Sequence, residues 1–491
     1  MRKAKVNSTR VQRIITAALS GRLDKAQALE LYQLGPEMVQ LALLATVKRI
    51  AEQKDQIEQL QSKQDAISNS IGPSTPSGQR PIYTKPTTSK RRRQRGAKKG
   101  HSGNRREKPQ HIDKHEKHRL DKCPDCGGPL QRCQRQRKRV IEDIPDDIQP
   151  VVTEHTIHRD YCPKCKKHVE PIVPDALPKA SIGHYLVCFT AWLHYGLGVT
   201  IAQIISILGY HLHTRLSAGG LVAMWQRLAV ILIIWYEQIA LETKSNTYLH
   251  ADETGWRVAG KTHWLWCFAN DNACYYMIDR SRGSPALQKF FTEEFDGILI
   301  TDFWAAYNSV CATDRQFCLV HLLRELEKVD QANDSTEWQV FSKKLRRLIR
   351  DGIRLRKHSD FTPERYESRI DRIKTRLSKL AHTVYHNPDV KRLAKRLKKY
   401  QDSLFTFLEH PEIPFENNFA ERQIRPAVIL RKNSQCNHSD KGAATQAVLM
   451  SIYRTLRLRG HNPTTTIANA LKNYMTTGNL PSLPTSTIAN G

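Results

Sequence analysis

Two short extended runs, each leading into an aspartate, constrain this chain more than any other feature. Tyr248-Leu249-His250 runs toward Asp252, and Gly297-Ile298-Leu299-Ile300-Thr301 runs into Asp302. A sheet delivers the residue after a strand to its edge, where side chains of neighbouring strands converge. The 302 − 252 = 50 positions between the two acids therefore do not keep them apart. From residue 247 the pattern is that of strands: 248–250, 263–268 and 273–278 are aromatic and β-branched, with turns at Gly260-Lys261 and Asp271-Asn272. A helix is predicted over 284–295, a strand over 298–301 and one more strand over 317–320. Strands, a helix and another strand make an α/β unit with a mixed sheet.

A third acid, Glu421, lies 421 − 302 = 119 positions further on, in Asn417-Asn418-Phe419-Ala420-Glu421-Arg422, past an Asn pair that suits a helix start. Two strand-end aspartates and a helical glutamate are the donors that two divalent metals need. Such metals, ~3.5–4 Å apart, clamp the attacking and leaving oxygens of a phosphodiester displacement. Carboxylates suit Mg²⁺, which prefers hard oxygens. Each acid also fits a plainer role. Asp252 suits a cap of the turn Glu253-Thr254-Gly255, and Asp302 an N-cap for 303–307. Asn418 and Glu421 have capping-box spacing, and Glu421 and Arg425 stand at i,i+4. Glu253 and Glu416 are nearby rivals.

The chain has 491 residues, enough for about three domains, and carries 77 Lys+Arg against 48 Asp+Glu, a formal charge of +29. That excess fits a polyanionic partner, with nucleic acid first. The cations cluster in a Pro-, Ser- and Thr-rich stretch. Lys90, Arg91, Arg92, Arg93, Arg95, Lys98, Lys99, Arg105 and Arg106 are the candidate phosphate contacts. Such a segment cannot bury enough apolar surface to order itself.

The division read along the chain is multidomain α+β. Residues 1–68 form a helical region in which Leu43, Val47, Ile50, Ile57 and Leu60 suggest a short coiled coil or a helix packed on its own domain. A basic disordered linker covers 69–118, a cysteine-bearing domain 119–175 and a buried helical domain 176–246. Within the last, Thr200 and Ser217 each suit a helix start. The sheet domain spans 247–325, a basic helical insertion 326–410, and the part with Glu421 411–475. A disordered tail, 476–491, completes it. Arg227 and Glu237 bound the most apolar stretch, 228–236, which is too short to span a bilayer and reads as a core helix. No membrane association is expected.

Eleven cysteines and no secretory signal point to a reduced cytoplasm and to metal ligation rather than disulfides. Cys123-Pro124-Asp125-Cys126 and Cys162-Pro163-Lys164-Cys165 each point two thiolates at one metal, and together they complete a tetrahedral structural Zn²⁺ site. The strand-like 149–157 lies between them, as in a zinc ribbon. Cys133 and His168 are spare candidates.

The acidic motifs also carry a resemblance. His250-Ala251-Asp252-Glu253-Thr254-Gly255-Trp256-Arg257-Val258, Thr301-Asp302-Phe303-Trp304-Ala305-Ala306-Tyr307 and Asn417-Asn418-Phe419-Ala420-Glu421-Arg422 resemble the three catalytic blocks of insertion sequence family 66 transposases. Gly100-His101-Ser102-Gly103, the cysteine pairs and Leu216-Ser217-Ala218-Gly219-Gly220 extend the likeness over about residues 36 to 460. The resemblance implies a DDE transposase with an RNase H-like core, and it selects Glu421 over Glu416. It further implies strand transfer with Mg²⁺ or Mn²⁺, assembly on terminal inverted repeats as a homo-oligomer, and two small companion proteins of the element as candidate partners. Cys318-Leu319-Val320-His321 is similar to the Cys-x-x-His of many DDE transposases, as core support or as a buried thiol and histidine at a helix start.

Overall fold

The computed structural model describes residues 25–33, 35–37, 39–40, 43–44, 47, 50–58, 109, 111–130, 138–145, 148–358 and 361–487. These fall in two compact units, Met1–Pro81 and Ile82–Gly491. The candidate phosphate contacts between Lys90 and Arg106 lie outside the described residues, as do Leu60 and Cys133. In the first unit, helix α1 (Lys25–Gln33) is followed by helix at every described position from 36 to 58. Leu43, Leu44, Val47, Ile50 and Ile57 are all more than half exposed there.

The second unit opens with a small exposed hairpin, β1 (Asp160–Cys162) and β2 (Lys167–Val169). Four helices follow: α2 (His184–Ala191), α3 (Ile201–His211), α4 (Ala218–Ile231) and α5 (Ile233–Lys244). Thr200 closes a full capping box with Gln203 at the start of α3, and the Ser217 side chain accepts from Gly220 N at the start of α4. The apolar stretch 228–236 is not one helix. It breaks at Leu232, where α4 and α5 meet at 56°. Bending buries Leu228, Leu232 and Trp235 together and leaves Val230 and Ile234 outside. Among the described residues no single helix is long and apolar enough to cross a membrane.

The sheet comes next, with β3 (Tyr248–Val258), β4 (Lys261–Ala269), β5 (Cys274–Asp279), β6 (Phe295–Thr301) and β7 (Ala312–Phe317) in the order β5-β4-β3-β6-β7. The first three pair antiparallel, and β6 and β7 join parallel. Ala259 and Gly260 close the β3–β4 hairpin with φ of 48° and 74°, the left-handed pair whose twist matches the flanking strands. Helix α6 (Ser284–Phe290) makes the crossover from β5 to β6. It stops earlier than predicted because Phe290 and Phe291 turn inward onto Phe268.

Two strand expectations change. β3 does not end at His250 but runs to Val258, so Asp252 lies inside the strand, and Glu253-Thr254-Gly255 is strand rather than turn. The aromatic partner β4 holds it extended, with Trp266, Leu265 and Trp264 opposite those residues. The strand expected at 317–320 lies at Ala312–Phe317. Leu319 instead begins helix α7 (Leu319–Asp330), because Leu319, Leu322, Leu323 and Leu326 share one buried helical face.

Helices α8 (Thr336–Arg356), α9 (Pro363–His382) and α10 (Pro388–Tyr400) form the insertion. With α7 they bury one core, which continues onto Ile298, Ile300 and Phe317 of the sheet. The chain returns as α11 (Asn418–Ser434), α12 (Asp440–Leu458) and α13 (Pro463–Thr477). These last helices share a core with α2–α5 and with Trp256, Leu265 and Tyr276 of the sheet. The 176–246 helices are therefore built into the sheet's own core. The tail expected to be disordered is ordered through residue 487. Leu483 is 3% exposed, Trp235 Nε1 donates to Pro481 O at 2.7 Å, and Thr487 N donates to Arg459 O at 2.9 Å. Its Pro- and Ser-rich composition concealed one buried leucine and carbonyls that neighbouring side chains bind.

Candidate active site

Parallel register aligns the two aspartates. His250 on β3 pairs with Ile300 on β6, and two residues onward stand Asp252, still inside β3, and Asp302, just past the end of β6. Side chains alternate along a strand. Asp252 thus shares its face with His250 and with Trp256 of the helical core. Glu253 points to the other face. There Arg282 holds its Oε1 through Nε at 3.2 Å and Nη2 at 3.0 Å, and Tyr307 Oη donates to Oε2 at 2.6 Å. Arg282 is itself stacked between the rings of Trp264 (4.4 Å) and Trp304 (3.9 Å).

Glu421 arrives in the first turns of α11, where the positive end of the helix dipole favours a carboxylate. Arg324 Nη1 lies 3.5 Å and His321 Nε2 3.8 Å from its Oε1, both from α7. The other acid of the segment, Glu416, accepts a hydrogen bond from the Asn418 side chain. Asn418 does not cap α11, whose N-cap is Asn417. Asp302 makes a local turn, accepting from Trp304 N at 2.9 Å, and Asp252 accepts from Glu253 N at 2.9 Å.

The electrostatics join these groups. Burial pushes the Asp252 carboxyl well above the usual carboxylate range. The negative charges of Glu253, Asp302 and Glu421 push it the same way, against the Glu253 N–H bond. Glu253 is raised by burial and by Asp302, with Tyr307 and Arg282 opposing. Burial, then Glu253, Asp252 and Asp302, raise Tyr307 far above an ordinary phenol. His321 is lowered by burial, while the charges of Asp302 and Glu421 pull it upward. Its buried Nδ1 has no hydrogen-bond partner among the described residues. Burial lowers His250 to about 4, so it is neutral near pH 7.

The site is thus a set of mutually repelling carboxylates, with Asp252 inside a strand, Asp302 just past the end of the neighbouring strand and Glu421 near a helix start. Among the described residues, no three His, Cys, Asp or Glu side chains are gathered closely enough to form a ready metal cage. The donor chemistry nonetheless fits a hard divalent cation, since positive charge would relieve the repulsion that raises Asp252. Arg282 and Arg324 gave no sign in the sequence, and Tyr307 and Asn417 stood in the acidic motifs without a role, because each acts through a partner more than twenty positions away.

Each cysteine pair forms a turn of its own. Cys123 N donates to Gly128 O at 3.0 Å and Gly127 N to Cys123 O at 2.9 Å, with Gly127 at φ 68°. Cys162 ends β1, and Cys165 N lies 3.5 Å from its sulfur. Backbone amides lower Cys123 and Cys162 toward thiolate. Both turns present thiolate donors of the kind a zinc ion takes, although among the described residues the two pairs are not joined in one four-sulfur group. The segment expected as strand at 149–157 forms no strand, with Val151 and Val152 94% and 91% exposed.

A mixed α/β domain with an acidic sheet-edge site, preceded by a cysteine module, defines the class of protein. Residues 179–445, more than half of the chain, match the transposase IS66 family, and residues 121–166 match the zinc-finger binding domain of transposase IS66. The chain belongs to the transposase IS66 family. It is 24% identical over 389 residues to uncharacterized protein y4jD of Sinorhizobium fredii (strain NBRC 101917 / NGR234), covering 71% of this chain and 74% of that one. It is 26% identical over 288 residues to uncharacterized protein y4qI of the same strain, covering 50% and 51%.

Proposed function

We propose that this chain is a DDE transposase that cuts the ends of an insertion sequence and joins them to target DNA. Asp252, Asp302 and Glu421 are its catalytic acids, in a core of RNase H-like type. The observation that carries the reading is that half-buried Asp252 feels the negative charges of both Asp302 and Glu421, beside that of Glu253. The sheet order β5-β4-β3-β6-β7, three strands antiparallel and two joined parallel, supports the RNase H-like assignment.

In this reading Asp252, Asp302 and Glu421 hold Mg²⁺ or Mn²⁺. The bound ions supply an activated water or 3′-hydroxyl and stabilise the departing oxygen. Arg282 and Tyr307 bind Glu253 on the opposite face and so keep it from competing as a ligand. Arg324 and His321 flank Glu421 and orient its carboxylate. Cys123, Cys126, Cys162 and Cys165 hold a structural Zn²⁺. The cationic arm of Lys90–Arg93, Arg95, Lys98, Lys99, Arg105 and Arg106 binds DNA, and assembly on the terminal repeats is as a homo-oligomer, with the element's companion proteins as further partners.

A strand-transfer assay with labelled element ends tests the proposal. Joined product should require Mg²⁺ and vanish in Asp252→Asn, Asp302→Asn and Glu421→Gln. Normal joining by those variants would refute the site. Cleavage without joining would favour the second reading, an RNase H-type nuclease, which the same acids would serve.

A further inference from the structure

Asn417 and Cys318 together form a buried clamp that joins the residues next to Asp252 and Asp302 to the first turn of the Glu421 helix, and its wiring is unusual. Asn417 is the N-cap of α11, a position where asparagine ordinarily accepts from the amides of its own helix. Here the side chain makes no capping bond. It reaches instead into the sheet: Nδ2 donates to Ala251 O at 2.8 Å, and Oδ1 lies 2.8 Å from His250 Nδ1. Because the amide N–H is committed to the Ala251 carbonyl, Oδ1 must accept, which puts the His250 proton on Nδ1.

The backbone N–H of Asn417 donates to Cys318 Sγ at 3.2 Å, and Cys318 N donates to Thr301 O at 2.8 Å. Next door, Leu319 N donates to Phe415 O at 3.0 Å. The remaining backbone group of Asn417, its carbonyl, accepts from Glu421 N at 3.3 Å. The chain of bonds therefore starts at Ala251, the neighbour of Asp252. It passes through Asn417 and Cys318 to Thr301, the neighbour of Asp302, and branches one helical turn to Glu421. Asn417, Cys318, Ala251, His250 and Thr301 are all 2% exposed or less. Water cannot replace the lost partners, so each broken bond leaves a buried polar group unpaired.

We propose that Asn417 is a positioning residue, which with Cys318 sets the distance of Glu421 from Asp252 and Asp302. This rests on reading those three acids as the reactive site. The Cys-x-x-His segment thereby gains a definite role, in which Cys318 is the sulfur acceptor that ties the Asp302 strand end to the Glu421 helix.

The test uses the full-length protein and Mn²⁺ alone, with binding followed by the loss of the free-ion paramagnetic resonance signal. Asn417→Ala is expected to weaken Mn²⁺ binding about 10–100-fold, as loss of groups that orient ligands does. Glu421→Gln should weaken it comparably, and the double variant should be no weaker than the worse single, since both act through one carboxylate. A merely structural role would lower the melting temperature of Asn417→Ala and leave the Mn²⁺ affinity of the folded protein unchanged; that result overturns the proposal, as would full additivity. Should Asn417→Ala fail to fold, the Cys318 pair decides. Cys318→Ala should weaken Mn²⁺ several-fold and Cys318→Ser should restore it, and equal affinity in both refutes the clamp. If Glu421→Gln itself binds Mn²⁺ like the parent protein, the underlying site assignment falls with it; if only Glu421→Gln is affected, the site stands and the clamp does not.

Discussion

The carboxylate site and the cysteine module hold their donors by opposite means. Asp252 comes from a strand, Asp302 from just past the end of the next strand and Glu421 from a helix, and the chain at Ala251, Thr301 and Asn417, beside or one turn before each, is buried and hydrogen-bonded. The cysteines come from two tight turns, each held by its own backbone, in a segment whose apolar residues are largely in water. A core can hold like charges together against their repulsion. A turn can hold two thiolates, but bringing two pairs together takes free energy from outside the turn, such as that of a bound ion.

Zinc removal gives the largest expected effect. Structural zinc contributes apparent free energies on the order of 10 kcal/mol in small modules. A chelator should make residues 121–166 sensitive to protease while the main melting transition stays in place. If the whole protein melts with the chelator, the two regions are not independent and the contrast breaks.

Chemistry at the acids follows. Asp302→Asn should lower single-turnover end cleavage by roughly a thousandfold at saturating Mg²⁺, corresponding to about 4 kcal/mol of barrier. A fall of less than tenfold would remove Asp302 from the machinery. Arg282→Ala sharpens the picture of a core that tolerates charge only when it is paired. It leaves the Glu253 carboxylate, with its side chain 2% exposed, short of two hydrogen bonds. Denaturant unfolding should show a loss of about 1–3 kcal/mol, and an unchanged midpoint would mean that Tyr307 alone satisfies Glu253.

The smallest effect is on the pH dependence of stability. Asp252 is raised in the folded state, so the protonated form is the one that folding favours. The stability it contributes is present below the ordinary carboxylate range and is lost as pH rises through the raised value. In metal-free protein, Asp252→Asn should match the parent chain at acid pH and melt higher at neutral pH. Calorimetry across that range checks this, and identical profiles would show that Asp252 is not buried among like charges.

Much of this was legible in sequence because its causes are local. The aromatic and β-branched content of β4 and β5, the capping serine and threonine at 217 and 200, and both Cys-x-x-Cys turns announce themselves within a few residues. The length of β3 was not legible, since Glu253-Thr254-Gly255 reads as a turn until β4 supplies its aromatic partners. The order of the tail was hidden for the same reason: Leu483 has meaning only beside the helices it covers.

Residues close along the chain set the side chains on offer for chemistry and the short-range structures that carry them. The pairing of His250 with Ile300, which brings Asp252 level with Asp302, came from the folded molecule alone. The folded molecule also decided that Glu253 is neutralised on the far face and that Asn417 is spent on the sheet rather than on its helix. The physical reason is that periodicity and capping depend on neighbours along the chain. Register between parallel strands and the partners of buried charges depend on segments that meet only after the chain has collapsed.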